Sequence, residues 1–519
     1  MDSEDLMQTW TLRKPAVRTR HGLVAAQNRH AAEAGAAVLA RGGNAMDAAV
    51  VTALVLSVVE PWLSGIGGGG FLLHADGTGE VNTLNFNLCS ASALDPADYP
   101  LVGGSDDNWF DWPAVEGARN VKGYGSICVP GAVAGLSAAL ERFGTLSFAD
   151  ALQPAIGHAE RGLEIDWYAS LCIGIEASEL AQFPATAALF LDNGLAPRAA
   201  ERGEPRRRPM PAKARLLKRL AAAGARDFYE GEVAEMLVVD LQAGGSRISR
   251  EDLARYRPEW YAPLKGDYRG WEVNAIPGLS GGPSFLDALG ALTRDADFGR
   301  RAPGEAALGF ARAIRQAYDR RLRTMGHAGS KEPSCTTHIS VVDKNGTMVS
   351  LTNTLLSRFG SKVVLPNAGL VMNNGVMWFD PRPGRPNSIA AGARPLANMC
   401  PLILTNGDKR LAVGAAGGRS IFPALTQLVS YVIDFGMSLE EAFHAPRIDA
   451  SGPTIRVNAR AASDVAAAVA REFPVEIVED TLYPTQFAIP SAALREGEDN
   501  IGMAHPTSPW ASVAVGTTA

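Results

Sequence analysis

The chain has few cysteines, no long apolar run and no excess of basic charge, and each shortage removes a class of function. The five cysteines among 519 residues, Cys89, Cys128, Cys172, Cys335 and Cys400, are odd in number, scattered and without a CxxC pair. That pattern argues against a disulfide framework or a zinc site and fits a reducing compartment. The longest apolar run, Ala48 to Val59, is too short to span a bilayer and reads as a buried helix. Met1-Asp-Ser-Glu-Asp is acidic and lacks the apolar core of a secretory signal, so a cytoplasmic protein is the expectation. A net charge of -6 supplies neither a basic patch for nucleic acid nor a polybasic run for a membrane surface. No internal repeat is visible, and neither a metal nor a cofactor is expected.

What is present is an ordinary soluble composition, 46% apolar and 20% charged, in a chain long enough for two or three structural units. Residues 30–59 read as two helices separated by Gly42-Gly43-Asn44. Val129-Pro-Gly131 opens another helix, residues 148–161 form a further one, and 196–215, with Arg206-Arg207-Arg208, read as a solvated loop. Ser249 with Asp252 three residues on marks a capped helix start. From Trp271 the pattern changes: a strand at 272–276, a Pro/Gly turn, then a helix at 284–292. Residues 324–334 are polar and breaker-rich, an expected exposed loop. Beyond it, strands at 337–342 and 347–352 flank the hairpin signal Asp343-Lys-Asn-Gly346.

Four motifs carry candidate chemistry. Gly65, Gly67 and Gly70 satisfy GxGxxG, but a helix precedes them and a strand follows, the reverse of a dinucleotide site, so a close-approach backbone loop is the better reading. Gly278-Leu-Ser280-Gly-Gly282 satisfies GxSxG between a strand and a helix, which allows a nucleophile elbow on Ser280 or a plain turn. Ser334-Cys-Thr-Thr-His338 leads into the hairpin. A two-residue turn pairs Thr336 near Leu355 and a four-residue turn pairs it near Asn353, and either brings Thr352 or Thr354 beside the strand's start. A threonine exposed there by cleavage owns an α-amine that can act as general base for its own hydroxyl. Threonine-rich strands are also simply good strand formers, and spacing alone leaves both readings open. Finally, Ala415-Ala-Gly417-Gly418-Arg-Ser420 joins a strand to a helix at Phe422. Its backbone amides suit a developing oxyanion, although strand-to-helix turns of this kind are also common structural devices.

Taken together, these segments resemble the γ-glutamyltransferase (glutathione hydrolase) family. The matching stretches are Arg41-Gly-Gly-Asn-Ala-Met-Asp-Ala-Ala49, Gly65-Ile-Gly-Gly-Gly-Gly-Phe71, Val129-Pro-Gly131, Phe228-Tyr229 with Gly231, Asp267-Tyr-Arg-Gly270, Gly281-Gly282, Thr336-Thr-His338, Arg394-Pro-Leu396 and Gly417-Gly418. They run in the family's order over nearly the whole chain. The resemblance implies an α+β, four-layer αββα N-terminal-nucleophile hydrolase sandwich made as an inactive precursor. Autocleavage between Cys335 and Thr336 would give a large chain, 1–335, and a small catalytic chain, 336–519, associated as a heterodimer. By the same match Thr336 is the nucleophile, Thr354 its hydroxyl partner, and the Gly417 and Gly418 amides the oxyanion hole. The implied reaction is acyl transfer from a small-molecule amide to water or an amine acceptor.

The departures from the family bear on the substrate. Where the family holds the glutamyl α-carboxylate with an arginine near Phe86, this chain has Asn87, and its Ser-Ser pair after Arg-Pro-Leu becomes Ala397-Asn398. The α-amino contacts fall at Leu356, Gly375 and Trp378. A buried zwitterion left without these partners loses about 1–3 kcal/mol per group, more for a charge, so a non-γ-glutamyl acyl donor is expected. Asn373-Asn-Gly-Val-Met-Trp-Phe-Asp-Pro381 is similar instead to oxamate amidohydrolase-like and cephalosporin acylase-like branches. Arg358, Arg394 and Arg419 remain as candidates to meet a substrate carboxylate. The chain lacks room for the lid that some members insert before Arg394, which implies an open site. Three alternatives stand beside this expectation: a true γ-glutamyltransferase, a serine hydrolase using Ser280, and an unprocessed binding relative.

Overall fold

The structure, a computed structural model, describes residues 12–105, 112–325, 335–482 and 486–517; the side chains at 105, 335 and 336 lie outside that description. Two seven-stranded sheets form the frame. In spatial order the first runs Val17–Thr19 (β1), Asp499–Ala504 (β13), Ile489–Glu496 (β12), Lys409–Ala416 (β11), Leu402–Asn406 (β10), Trp271–Ala275 (β7) and Leu264–Tyr268 (β6). The second runs Ser512–Val515 (β14), Leu23–Ala26 (β2), Cys335–Val342 (β8), Met348–Leu356 (β9), Gly69–Ala75 (β3), Val81–Phe86 (β4) and Glu259–Tyr261 (β5). Every pairing within the two sheets is antiparallel.

The sheets stack through small polar residues. Ser340 Oγ donates to the Ser491 carbonyl and Ser491 Oγ to the His338 carbonyl, both at 3.2 Å. Ser350 Oγ reaches the Val413 carbonyl at 3.2 Å. A side chain at Gly414 would meet the His338 ring at 2.4 Å, so the ring lies directly on that strand. Helices α1 (Arg29–Ala40), α2 (Ala45–Val59) and α3 (Ala132–Phe143) pack on or beside the second sheet, whereas α5 (Gly282–Leu292) and α7 (Ile421–Ile433) pack on the first. Another long helix, α6 (Pro303–Thr324), joins that second group. Among the described residues, no helix is long and apolar enough to cross a membrane.

Local sequence explains the start of α2. The Asn44 side chain accepts from the Met46 and Asp47 amides at 2.9 and 3.0 Å, and Asp47 returns the bond to the Asn44 amide at 2.9 Å. The helix is apolar all round and buried along all but its last residue, as a helix between other layers must be. The capping box at Ser249 and the helix Phe148–Arg161 (α4) also form as the sequence suggests.

Two expectations need correction. Residues 196–215 are not one solvated loop. Arg206–Arg208 pairs with Leu163–Ile165, and Pro211 begins a helix, Pro211–Ala223, that buries Lys213, Leu216, Leu217 and Leu220. Proline at a first helical position was the overlooked signal. The hairpin register also falls between the two that the turn lengths allow, with Val342 opposite Met348 and Thr337 opposite Asn353. The connection spans 343–347, where Asp343 Oδ1 accepts the Asn345 and Thr347 amides at 2.9 and 3.1 Å. The breaker-rich segment reads as helix through Thr324, and its residues 326–334 lie outside the described ones.

Candidate active site

β8 keeps one register on β9 down to Thr337 opposite Asn353, and the next residue, Thr336, lies against the Thr354–Leu355 stretch. There it shifts, and Cys335 pairs with Leu356. Thr354 is fully buried; its Oγ1 accepts the Leu356 amide at 2.9 Å, and its own amide donates to Asn353 Oδ1 at 2.9 Å. Leu356 adopts φ 82°, a left-handed conformation costly for a branched side chain, directly beside the register shift.

The glycine-rich stretch at 65–70 is a close-approach loop between α2 and β3. A Cβ at Gly68 would lie 2.0 Å from the Thr354 carbonyl oxygen, so only glycine lets this backbone press against β9. Its helix-before, strand-after order leaves no dinucleotide fingerprint.

On the first sheet, β11 is followed by Gly417 at φ 139° and Gly418 at φ 54°, conformations that favour glycine. The Ser420 amide closes the turn on the Gly417 carbonyl at 3.1 Å, and α7 begins at Ile421. His338 over Gly414 ties this strand to β8. The ring nitrogens lie 3.0 Å from Thr352 Oγ1 and Ser340 Oγ, and burial pushes the imidazole down to about 3. It is therefore neutral at physiological pH and structural in role.

The candidate substrate contacts do not form one ring. Asn87 lines a cleft of about 320 Å³ with Phe71, Tyr261, Pro277, Leu279 and Arg394. Its Nδ2 donates to the Pro395 carbonyl at 3.3 Å, and its buried Oδ1 has no hydrogen-bond partner. Because Thr354 pairs with Gly69 and Gly70 with Phe86, Asn87 continues the cross-strand row from Thr354. Two strand spacings put its backbone roughly 10 Å away. Leu356 and Trp378 are buried, and the Trp378 carbonyl accepts from Asn387 Nδ2 at 2.7 Å. Gly375 offers no room, since a Cβ there would sit 2.6 Å from Cys128 Sγ. Asn398 Oδ1 accepts from Arg321 Nη2 at 3.2 Å.

The three arginines offered for a substrate carboxylate are engaged within the protein. Arg358 lies 4.0 Å from Glu176 and also bears on Glu60, whose carboxyl burial holds well above the usual range despite that arginine. Arg394 donates to the Asn87 carbonyl and, at 3.0 Å, to the Arg257 carbonyl. Arg419 is buried, donates to the Ser451 carbonyl and lies 5.4 Å from the Tyr318 ring centre. Ser280, the rival nucleophile, is buried and donates to the Ile276 carbonyl at 2.9 Å while accepting the Gly282 amide at 3.1 Å. Among the described residues no histidine reaches it: His338, His444 and His505 are bonded elsewhere, and His327 lies outside them. The hydroxyl caps a turn, which removes the structural basis for a serine elbow.

Sequence reasoning missed Arg321, Tyr318 and Asp449. Arg321 is buried on α6 and donates to four neutral acceptors: the Ser280 carbonyl at 2.6 Å, Ser284 Oγ at 3.3 Å, the Ala397 carbonyl at 2.8 Å and Asn398 Oδ1. Burial draws its guanidinium down to about 10, leaving it charged at neutral pH. The available signal was its place on the stripe of Phe310, Ile314, Ala317 and Tyr318, where an arginine is out of pattern.

The fold compares with known proteins over almost its whole length. It is similar to the cephalosporin acylase from Bacillus halodurans, with TM-score 0.83 and 26% identity over 98% of each chain. That likeness defines the class, an N-terminal-nucleophile-type hydrolase of mixed helix and sheet. The gamma-glutamyltranspeptidase family model matches residues 31–330 and 314–480. The Acylase ACY 1 proenzyme of Pseudomonas sp. (strain V22) is 36% identical over 501 residues, covering 88% of this chain and 87% of that protein. The glutathione hydrolase proenzyme of Escherichia coli (strain K12) is 28% identical over 484 residues, covering 83% and 81%. The chain thus belongs to the gamma-glutamyltranspeptidase family, and it is a hydrolase.

Proposed function

We propose that the chain is a self-processing amide hydrolase that cuts its own peptide bond between Cys335 and Thr336 and then acts on non-γ-glutamyl amides, in the manner of an acylase. The large chain, 1–335, and the small chain, 336–519, stay together as a heterodimer in a four-layer αββα order. Stacked sheets with helices packed on each support that order. The α-amine of Thr336 takes the proton of its own hydroxyl as the oxygen attacks the substrate carbonyl. Thr354 Oγ1 holds the attacking hydroxyl, and the Gly417 and Gly418 amides receive the oxyanion. Collapse expels the amine, which takes up the proton, and leaves an ester on Thr336. Water then attacks that ester along the same path and releases the acid; an acceptor amine in its place gives transfer. The scattered cysteines keep a cytoplasmic location as part of this reading.

The observation that supports the reading is the β8–β9 register shift, which falls at Thr336 and leaves Thr354 and Leu355 as the residues facing it, beside the Gly68 contact. For the acyl group, the Asn87 cleft offers a neutral amide where a charge partner for a glutamyl carboxylate would be needed, and neighbouring Arg394 is already bonded. The acylase names of a relative and of a structural neighbour agree with that choice.

Denaturing gels of purified protein should show two fragments, the smaller beginning at Thr336 by N-terminal sequencing, with Thr336→Ala giving only precursor. An intact chain that still turns over amides would sink the mechanism. Turnover of γ-glutamyl-anilide should fall below that of glutaryl- or cephalosporin-type amides or oxamate; parity would overturn the substrate reading. An intact chain inert towards the whole panel would mark a binding relative instead.

A further inference from the structure

The turn carrying Gly417 and Gly418 is soft in itself, because both glycines sit where the backbone has wide freedom. Oxyanion donors, by contrast, must be held within about 0.5 Å of their working positions. The residues following the glycines are gripped from two sides. On one side Ser420 Oγ donates to Asp449 Oδ2 at 2.7 Å, and Asp449 Oδ1 accepts the Ser451 amide at 3.0 Å. Arg456 pairs with the same buried carboxylate. On the other side the Tyr318 hydroxyl donates to the Arg419 carbonyl, while the Arg419 side chain donates to the Ser451 carbonyl.

We infer that Asp449 and Tyr318 are positioning residues that fix the direction of the Gly417 and Gly418 amides. This rests on the reading that those amides meet the oxyanion. Asp449 anchors the turn through Ser420. Burial disfavours its charge, but Arg456 and the bonds from Ser420 and Ser451 outweigh burial and hold the carboxyl below its usual range. It therefore stays ionised throughout the neutral range, and the anchor is constant. Tyr318 lies on α6, before the processing bond, whereas the turn lies after it. The large chain thus supplies one of the two grips on the small chain's oxyanion site, and the cut does not release it.

The test uses self-cleaved enzyme and whichever of γ-glutamyl-, glutaryl- and cephalosporin-type amides and oxamate the unmodified protein turns over fastest. Tyr318→Phe, Ser420→Ala and Asp449→Asn should each lower kcat roughly 10–100-fold while KM stays within about twofold, because loose donors weaken only the transition state. Ser420→Thr, which keeps the hydroxyl, should restore kcat to within about threefold. Gly418→Ala is the control on the underlying reading, and its kcat should fall by at least about 100-fold. A Gly418→Ala enzyme with unchanged kcat would remove the oxyanion assignment itself. A deficient Gly418→Ala beside fully active Tyr318→Phe and Ser420→Ala would leave that assignment standing and overturn the positioning roles. Losses expressed in KM rather than kcat would do the same. Tyr318→Phe removes a single oxygen, so it decides the matter even where Asp449→Asn yields no folded protein.

Discussion

The 335–356 hairpin touches β11, the strand that leads into the 417–420 turn, where His338 lies on Gly414, yet hairpin and turn are held by different forces. The hairpin is a ladder: β8 sits between β2 and β9, β9 between β8 and β3, and alternation decides which residues share a face. The turn has no ladder. It depends on Ser420, Arg419 and side chains reaching it from distant segments. The lesson is that a site can combine one half whose geometry is set by backbone register with another whose geometry is set by a few side-chain bonds. The first half should tolerate conservative change around it, and the second should not.

The sharpest way to probe the ladder half is Thr354 itself. Thr354→Ala should cut kcat/KM about 100-fold or more and let precursor accumulate on gels, as losing one positioned polar group typically does. Thr354→Ser should recover most of the loss, and a silent Thr354→Ala would break the comparison. Next comes Arg321, which ties α6 to the Ser280 turn and to 397–398. Arg321→Met leaves two carbonyls and an amide oxygen without donors and should cost about 2–4 kcal/mol in urea unfolding. Folding stability within about 0.5 kcal/mol of the parent would show those acceptors find other partners. A smaller shift concerns the cleft: Asn87→Arg should raise γ-glutamyl-anilide turnover about tenfold relative to the preferred amide, worth about 1.4 kcal/mol. An unchanged ratio would separate that cleft from acyl recognition.

The last effect appears only in acid. His338 is depressed to about 3 in the fold, against an ordinary value near 6.5. Between those values the unfolded chain binds a proton that the folded one refuses, so stability rises with pH there and is lost as pH falls below about 6.5. Burial also depresses His74 and His158 to about 4, and they act in the same direction. His338→Gln should flatten the acid limb by about 1.4 kcal/mol per pH unit between about 4 and 6. Melts at half-unit pH steps measure this, and identical limbs would contradict a neutral buried imidazole.

These two halves also differ in how far the sequence disclosed them. Alternation from Thr337 and the Asp343–Gly346 signal revealed the hairpin, and only its register stayed open, because loop length depends on how Asp343 bonds across the turn. The capped start of α2 and the reversed order around 65–70 were equally readable, since both depend on neighbours in the chain. The grip on Ser420 was not. Asp449 and Arg456 lie about thirty residues beyond the turn and Tyr318 about a hundred before it, and no local period links them. The arginines illustrate the same limit: sequence offered Arg358, Arg394 and Arg419 as free charges, whereas Glu176, the Arg257 carbonyl and the Ser451 carbonyl already answer them. Proline at 211 was a local cue, overlooked because the basic run beside it suggested solvent.

The strand order has a consequence for heating. If the bond before Thr336 is cut as proposed, β8 from Thr336 on, β9 and β14 belong to one polypeptide and β2 to β5 to the other, and they alternate within a single sheet; the first sheet likewise places β1 at one edge and β6 and β7 at the other around strands of the small chain. Separating the pieces means unzipping both sheets, so the nicked protein should melt as one body. Its way back, however, is no longer unimolecular. Two interleaved partners must find each other and thread together again, whereas the precursor folded with both halves tethered. Self-cleavage would thus act as a ratchet: it leaves the folded enzyme intact but discards the route by which it was made, and a cooled sample of melted enzyme should recover far less activity than refolded precursor.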